Sequence, residues 1–105
     1  MVGDATPGGW NNPATGASVQ PLTRINSSVW EMPTIAITGG KEYLVLPLAG
    51  NWDNKYSVAD NSIPGLAAGG DFGFNLSKNF PGPAVSGNYN FQLNFATAKF
   101  KTTKL

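Results

Sequence analysis

Few residues in this chain can do acid–base or metal chemistry, and several can recognise a flat polar ligand. Histidine and cysteine are both absent. That removes the commonest general base, the commonest transition-metal ligand and every thiolate or disulfide design. The acids are Asp4, Glu31, Glu42, Asp53, Asp60 and Asp71. Two facing carboxylates would suffice to cleave a glycosidic bond. However, no spacing pairs any two of them. Asp4, Asp53 and Asp71 lie beside Gly or Asn, where Asx-turns form. Turn duty is therefore the reading for the acids, and no enzyme is expected. Asp60, Asn61 and Asp71 place oxygen donors in one loop region without the dense alternation of a calcium loop. No metal and no cofactor are expected. GGDFGF, residues 69–74, lacks the Lys-Ser/Thr and the following helix of a phosphate loop, and reads as a turn entering a strand.

The aromatic residues say more. Trp10 sits in the stretch GDATPGGWNNP, and Trp52 in AGNWDNK. Each ring follows Gly or Asn and precedes polar residues. An aromatic face takes the C–H face of a sugar ring, and neighbouring amides bond its hydroxyls. Such a site needs no charge, metal or histidine. The candidates are Trp10 and Trp52 as the rings, with Asn11, Asn12, Asn51, Asn54 and Lys55 as polar surroundings. The competing reading makes each Trp a plug at one end of the fold, since Trp is usually largely buried. Trp30 opens a strand and is read as core.

These residues need a frame. A chain of 105 residues makes one domain, spanning 1–105. Its 13 glycines and 8 prolines, beside 41 % hydrophobic and 11 % aromatic residues, describe a packed all-β domain with many turns. Charged residues are 12 % and the formal net charge is +1, which gives no basic face for nucleic acid. No apolar run approaches 18 residues, so the domain itself inserts in no membrane. MVGDATPGG has neither the basic start nor the apolar core of a signal peptide, and the expectation is a domain of a longer multi-domain chain.

The firmest element is the C-terminal hairpin. Tyr89, Phe91, Leu93 and Phe95 alternate with Asn88, Asn90, Gln92 and Asn94. That is the period of a half-buried strand. Residues 96–98 turn, and the return strand carries Phe100 inward with Lys99 and Lys101 outward. A second hairpin is expected in VWEMPTIAITGGKEYLVLPL: Val29 to Thr38, a turn at Gly39-Gly40, and Lys41 to Leu48. Pro33 marks an edge or a bulge in its first strand. Leu44, Val45 and Leu46 are apolar on both faces. Shorter strands are expected at Lys55 to Val58 and Phe72 to Leu76. NSIPGLAAGGD and SKNFPGPAVSG read as loops. Several short strands with regular turn signals point to a β-sandwich.

VGDATPGGWNNP, EYLVLPLAGNWDNKY and NFPGPAVSGNYNFQLNFATAKF, in that order along nearly the whole chain, resemble the repeated domains of the SusE/SusF family of starch-binding lipoproteins. The resemblance implies an immunoglobulin-like antiparallel β-sandwich, one of several in tandem on a lipid-anchored chain at the Bacteroidetes outer-membrane surface. It implies an α-glucan oligosaccharide or polysaccharide as ligand, held on two aromatic rings at Trp10 and Trp52. Other proteins of a glycan-uptake complex are implied partners. Binding members carry a lysine between the rings, in a segment like Tyr-Lys-Phe-Leu. Here that segment is Tyr43-Leu44-Val45-Leu46, so Leu44 replaces a hydrogen-bond donor. Lys41, Asn54 or Lys55 could supply the missing donor. The rival reading is a spacer or protein-interaction domain of the same assembly, with Leu44, Leu46 and Leu48 as an exposed apolar run.

Overall fold

The computed structural model describes residues 1–13, 15–16 and 19–105, and shows an antiparallel β-sandwich. Its strands are β1 (Thr23–Arg24), β2 (Val29–Ile37), β3 (Glu42–Tyr43), β4 (Tyr56–Ser57), β5 (Gly69–Asp71), β6 (Gly73–Phe74), β7 (Phe80–Pro81), β8 (Gly87–Asn94) and β9 (Lys99–Lys104). One layer is a five-stranded sheet ordered β1-β2-β8-β9-β5. The other is built from the short pairs β3–β7 and β4–β6. Isolated bridges Val2–Leu44, Val45–Tyr56 and Val58–Lys78 join those pairs into a layer.

The C-terminal hairpin forms where the alternation places it. Leu93 lies opposite Phe100 and Phe91 opposite Thr102. The Asn94 carboxamide oxygen accepts from the amides of Ala96 and Thr97, an Asx-turn that closes the hairpin. Tyr89, Phe91, Leu93 and Phe100 are buried. Phe95, expected inward, lies beyond the end of β8 and remains 40 % exposed. Its ring meets Tyr56 at 5.1 Å and Phe72 at 5.4 Å.

The second hairpin does not form. β2 pairs with β8 and with β1, whereas β3 pairs with β7. Gly39-Gly40 is a corner that carries the chain from one layer to the other. Both layers are needed because Ile35 and Ile37 on one side, and Tyr43 and Val45 on the other, all bury into one core. A hairpin would have laid them in one sheet. The corner is tight: a Cβ on Gly39 would stand 2.5 Å from the Ala84 carbonyl oxygen.

Pro33 does mark a bulge. The β2–β8 register slips between Met32 and Ile35. Before the slip Trp30 and Met32 oppose the inward-facing Leu93 and Phe91; after it Ile35 opposes Tyr89. The core-facing positions thus change from even to odd along one strand, as one extra residue requires.

The strands expected at Lys55 to Val58 and Phe72 to Leu76 are present in shorter form, as β4 and β6. Within NSIPGLAAGGD, read as loop, Leu66–Ala68 makes a single 3-10 turn. Gly69–Asp71 then adds β5 to the edge of β9, so the start of GGDFGF is strand and not turn. SKNFPGPAVSG likewise contains β7. Both strands are too short for an alternation to reveal. In the core, Tyr43 stacks on Phe80 with ring centroids 5.1 Å apart, and Phe80 meets Phe100 edge-on at 4.8 Å. Each such buried ring stabilises the fold by about 1.5–3 kcal/mol.

Candidate functional site

The loop carrying Trp10 is Gly-rich but closed by hydrogen bonds. The Gly3 amide donates to the Gly9 carbonyl at 2.8 Å, and the Gly9 amide to the Thr6 carbonyl at 3.1 Å. The buried Thr6 hydroxyl donates to the Gly3 carbonyl at 2.8 Å. The loop base docks on β3: the Ala5 amide donates to the Glu42 carbonyl, and the Glu42 amide to the Asp4 carboxylate. Gly3 is required there. Its φ is +135°, and a Cβ would stand 2.4 Å from the Glu42 carbonyl oxygen. Ala5 is fully buried beneath the loop.

The loop carrying Trp52 follows Leu44 and Val45. Its Asn51 side-chain oxygen accepts from the Asp53 amide at 2.7 Å. A hydrogen bond ties the two loops together. The Asn12 side-chain oxygen accepts from the Gly50 amide at 2.6 Å. The other end of that side chain, Nδ2, is buried and has no partner among the described residues.

This arrangement brings Trp10 and Trp52 side by side. Their ring centroids are 6.2 Å apart with the planes inclined at 46°. Trp10 is 41 % exposed and Trp52 43 %. They are not plugs of the sandwich; they form a tilted pair open to solvent. Exposed paired rings beside amide side chains are compatible with carbohydrate binding.

The polar candidates divide. Asn11 and Asn54 are exposed. Asn54 accepts through its side-chain oxygen from Asn75 Nδ2 at 3.2 Å. Lys55 is half-buried; its amide donates to the Asn75 side chain, and its carbonyl accepts from the Asn75 amide. Asn12 holds the loops from inside instead of lining the surface around the rings. Leu44 is 5 % exposed and bridged to Val2, so it presents no group to a ligand. Its burial also dissolves the expected apolar run: Leu46 is half-buried, and only Leu48 of the three is exposed.

Most of the carboxylates are engaged within the fold, but not in the Asx-turns expected at Asp4, Asp53 and Asp71: Asp4 accepts from the Glu42 amide, Asp71 pairs across strands, and the Asx-turn bond is at Asp60. Glu31 accepts from Asn90 Nδ2 and Gln92 Nε2, and these bonds hold its pKa below the usual glutamate value. Asp60 accepts from the Ser62 hydroxyl and amide, which lower its pKa in the same way. Glu42 accepts from Asn61 and Asn79, and Asp71 pairs with Lys99. Among the described residues no group of three or more acids comes together to hold a metal ion.

Trp30 corrects the reading of it as core. It is 39 % exposed and lines an open cleft of about 620 Å³ between the layers. Its ring is on the core side of β2, opposite Leu93. The second layer ends short of it, so the core side there faces a cavity. Nothing in the local sequence around Trp30 announces where the opposite layer stops.

No family model, curated protein or solved structure matches this chain. The functional reading therefore rests on the site.

Proposed function

We propose that the domain is a non-catalytic carbohydrate-binding module whose platform is the Trp10–Trp52 pair. The observation that carries this reading is the pairing itself: two half-exposed rings, 6.2 Å apart, from loops 38 residues apart where they are tied. Rings so placed stack on successive sugars of one chain. Their 46° inclination means that no single flat face lies on both rings, which suits the curved chain of an α-glucan better than a flat ribbon. Asn11, Asn54 and Lys55 supply the polar surroundings. The resemblance to SusE/SusF domains supports the same ligand class. It adds the proposal that the chain works at the outer-membrane surface on a lipid-anchored protein, beside other proteins of a glycan-uptake complex.

Calorimetric titration with maltoheptaose, β-cyclodextrin and cellohexaose tests this. Wild type should bind the two α-glucans saturably and cellohexaose at least tenfold more weakly. Trp10→Ala and Trp52→Ala should each weaken α-glucan binding by roughly tenfold or more, since loss of one stacked ring removes about 1–2 kcal/mol. An unchanged affinity in both variants, or equal binding of cellohexaose, would reject the platform as drawn.

A further inference from the structure

The cleft beside Trp30 contains neither ring of the two-ring platform and has a chemistry of its own, although Asn12, which ties the platform's loops, also lines it. Its floor includes Val45 and Leu93, both buried, and its rim includes Val19, Trp30 and Phe95, all substantially exposed. At about 620 Å³ it has the size of a small-molecule pocket. Arg24 is the only charged side chain in the lining among the described residues. The register places Arg24 directly opposite Trp30 across the β1–β2 pair, so the two side chains rise from the same face of the sheet. Arg24 donates from Nε to the carbonyl of Asn26 at 3.0 Å, a neutral acceptor, and no carboxylate among the described residues pairs with it. The Met1 α-amino group also lines the cleft, but it donates to the Gln20 carbonyl and burial lowers its pKa to about 6, so Arg24 is the group that stays charged at neutral pH. A mostly apolar cavity with this guanidinium at its rim complements an apolar body that ends in an anion. Guanidinium donors hold a carboxylate through two parallel hydrogen bonds.

We propose that this cleft is a second ligand site, for a small amphipathic carboxylate whose apolar part lies on Val45, Leu93 and Trp30 and whose carboxylate meets Arg24. The site does not depend on the glycan reading, because none of its groups belongs to the Trp10–Trp52 pair.

The probe is decanoate, used below its micelle concentration and followed by the three indole N–H signals in the NMR spectrum. Decanoate should shift the Trp30 indole and the Val45 and Leu93 methyl signals saturably and leave Trp10 and Trp52 in place. Maltoheptaose should do the reverse. Decanol should bind about tenfold more weakly than decanoate, and Arg24→Gln should abolish that difference by weakening decanoate alone. Trp30→Ala should weaken both probes. Because Arg24 is exposed, the Gln variant keeps the test alive even if the Trp30 variant does not fold. Three results overturn the proposal: equal affinity for decanoate and decanol in wild type; no saturable shift at Trp30; or a sedimenting dimer that Trp30→Ala converts to monomer, which would make the occupant a second copy of the chain.

Discussion

At the scale of single residues, Asn12 shows how a side chain chosen for one role serves another. An amide beside Trp10 reads as a sugar-bonding group. In the fold its oxygen accepts from Gly50, and so fixes the Trp10 loop against the Trp52 loop. Replacing it with alanine removes that acceptor and leaves the Gly50 amide without its partner. A hydrogen bond of this kind is worth about 1 kcal/mol net. Asn12→Ala should therefore weaken maltoheptaose binding severalfold while both rings remain present. The Gly50 amide should exchange faster with solvent, which hydrogen-exchange NMR reads directly. Unchanged exchange at Gly50 would show that the loops are held by something else. The loop contexts of Trp10 and Trp52 leave exposed rings and end plugs both open, and their shared face is implied by the resemblance alone. The exposure of Trp30 is not legible in the sequence, because it depends on where the opposite layer ends.

At the scale of elements, legibility followed strand length. β8 and β9 are long enough to display their alternation, and both face and register could be read from it. β3, β5 and β7 have two or three residues each and display none. The partner of β2 was misread for a different reason. A Gly-Gly between two apolar stretches signals a turn, but whether the turn closes a hairpin or crosses between layers is decided by which side chains must meet in the core. The β2–β8 pair also carries a pH dependence. Glu31 lies opposite Gln92 and accepts from Asn90 and from Gln92, and these bonds, Asn90's foremost, lower its folded pKa. A carboxylate lowered in the folded state stabilises the fold above its ordinary pKa, and that contribution is lost as pH falls through the folded value. Gln92→Ala should raise the Glu31 midpoint in an NMR titration towards that of a free glutamate. The same variant should begin to unfold at a higher pH on the acid side. A midpoint that stays low in Gln92→Ala would assign the shift to Asn90 alone.

At the scale of the whole molecule, the sparse charge separates the two sites. With 12 % charged residues and a net charge of +1, the protein projects little long-range field. On the proposed glycan reading, binding at the Trp10–Trp52 pair rests on stacking and desolvation of neutral surfaces, which simple salt barely affects. The cleft places Arg24 at an exposed rim, where attraction to an anion is screened over about 10 Å at 0.1 M salt and about 3 Å at 1 M. Raising potassium chloride from 20 to roughly 500 mM should thus change the maltoheptaose Kd less than twofold and weaken decanoate severalfold. In Arg24→Gln the decanoate affinity should no longer respond to salt. Paired titrations on one sample check both. Salt-sensitive maltoheptaose binding would mean that a charged group takes part on the platform, and Lys55 would be the first residue to replace. Salt-insensitive decanoate binding in wild type would remove Arg24 from the cleft's recognition and leave only its apolar walls.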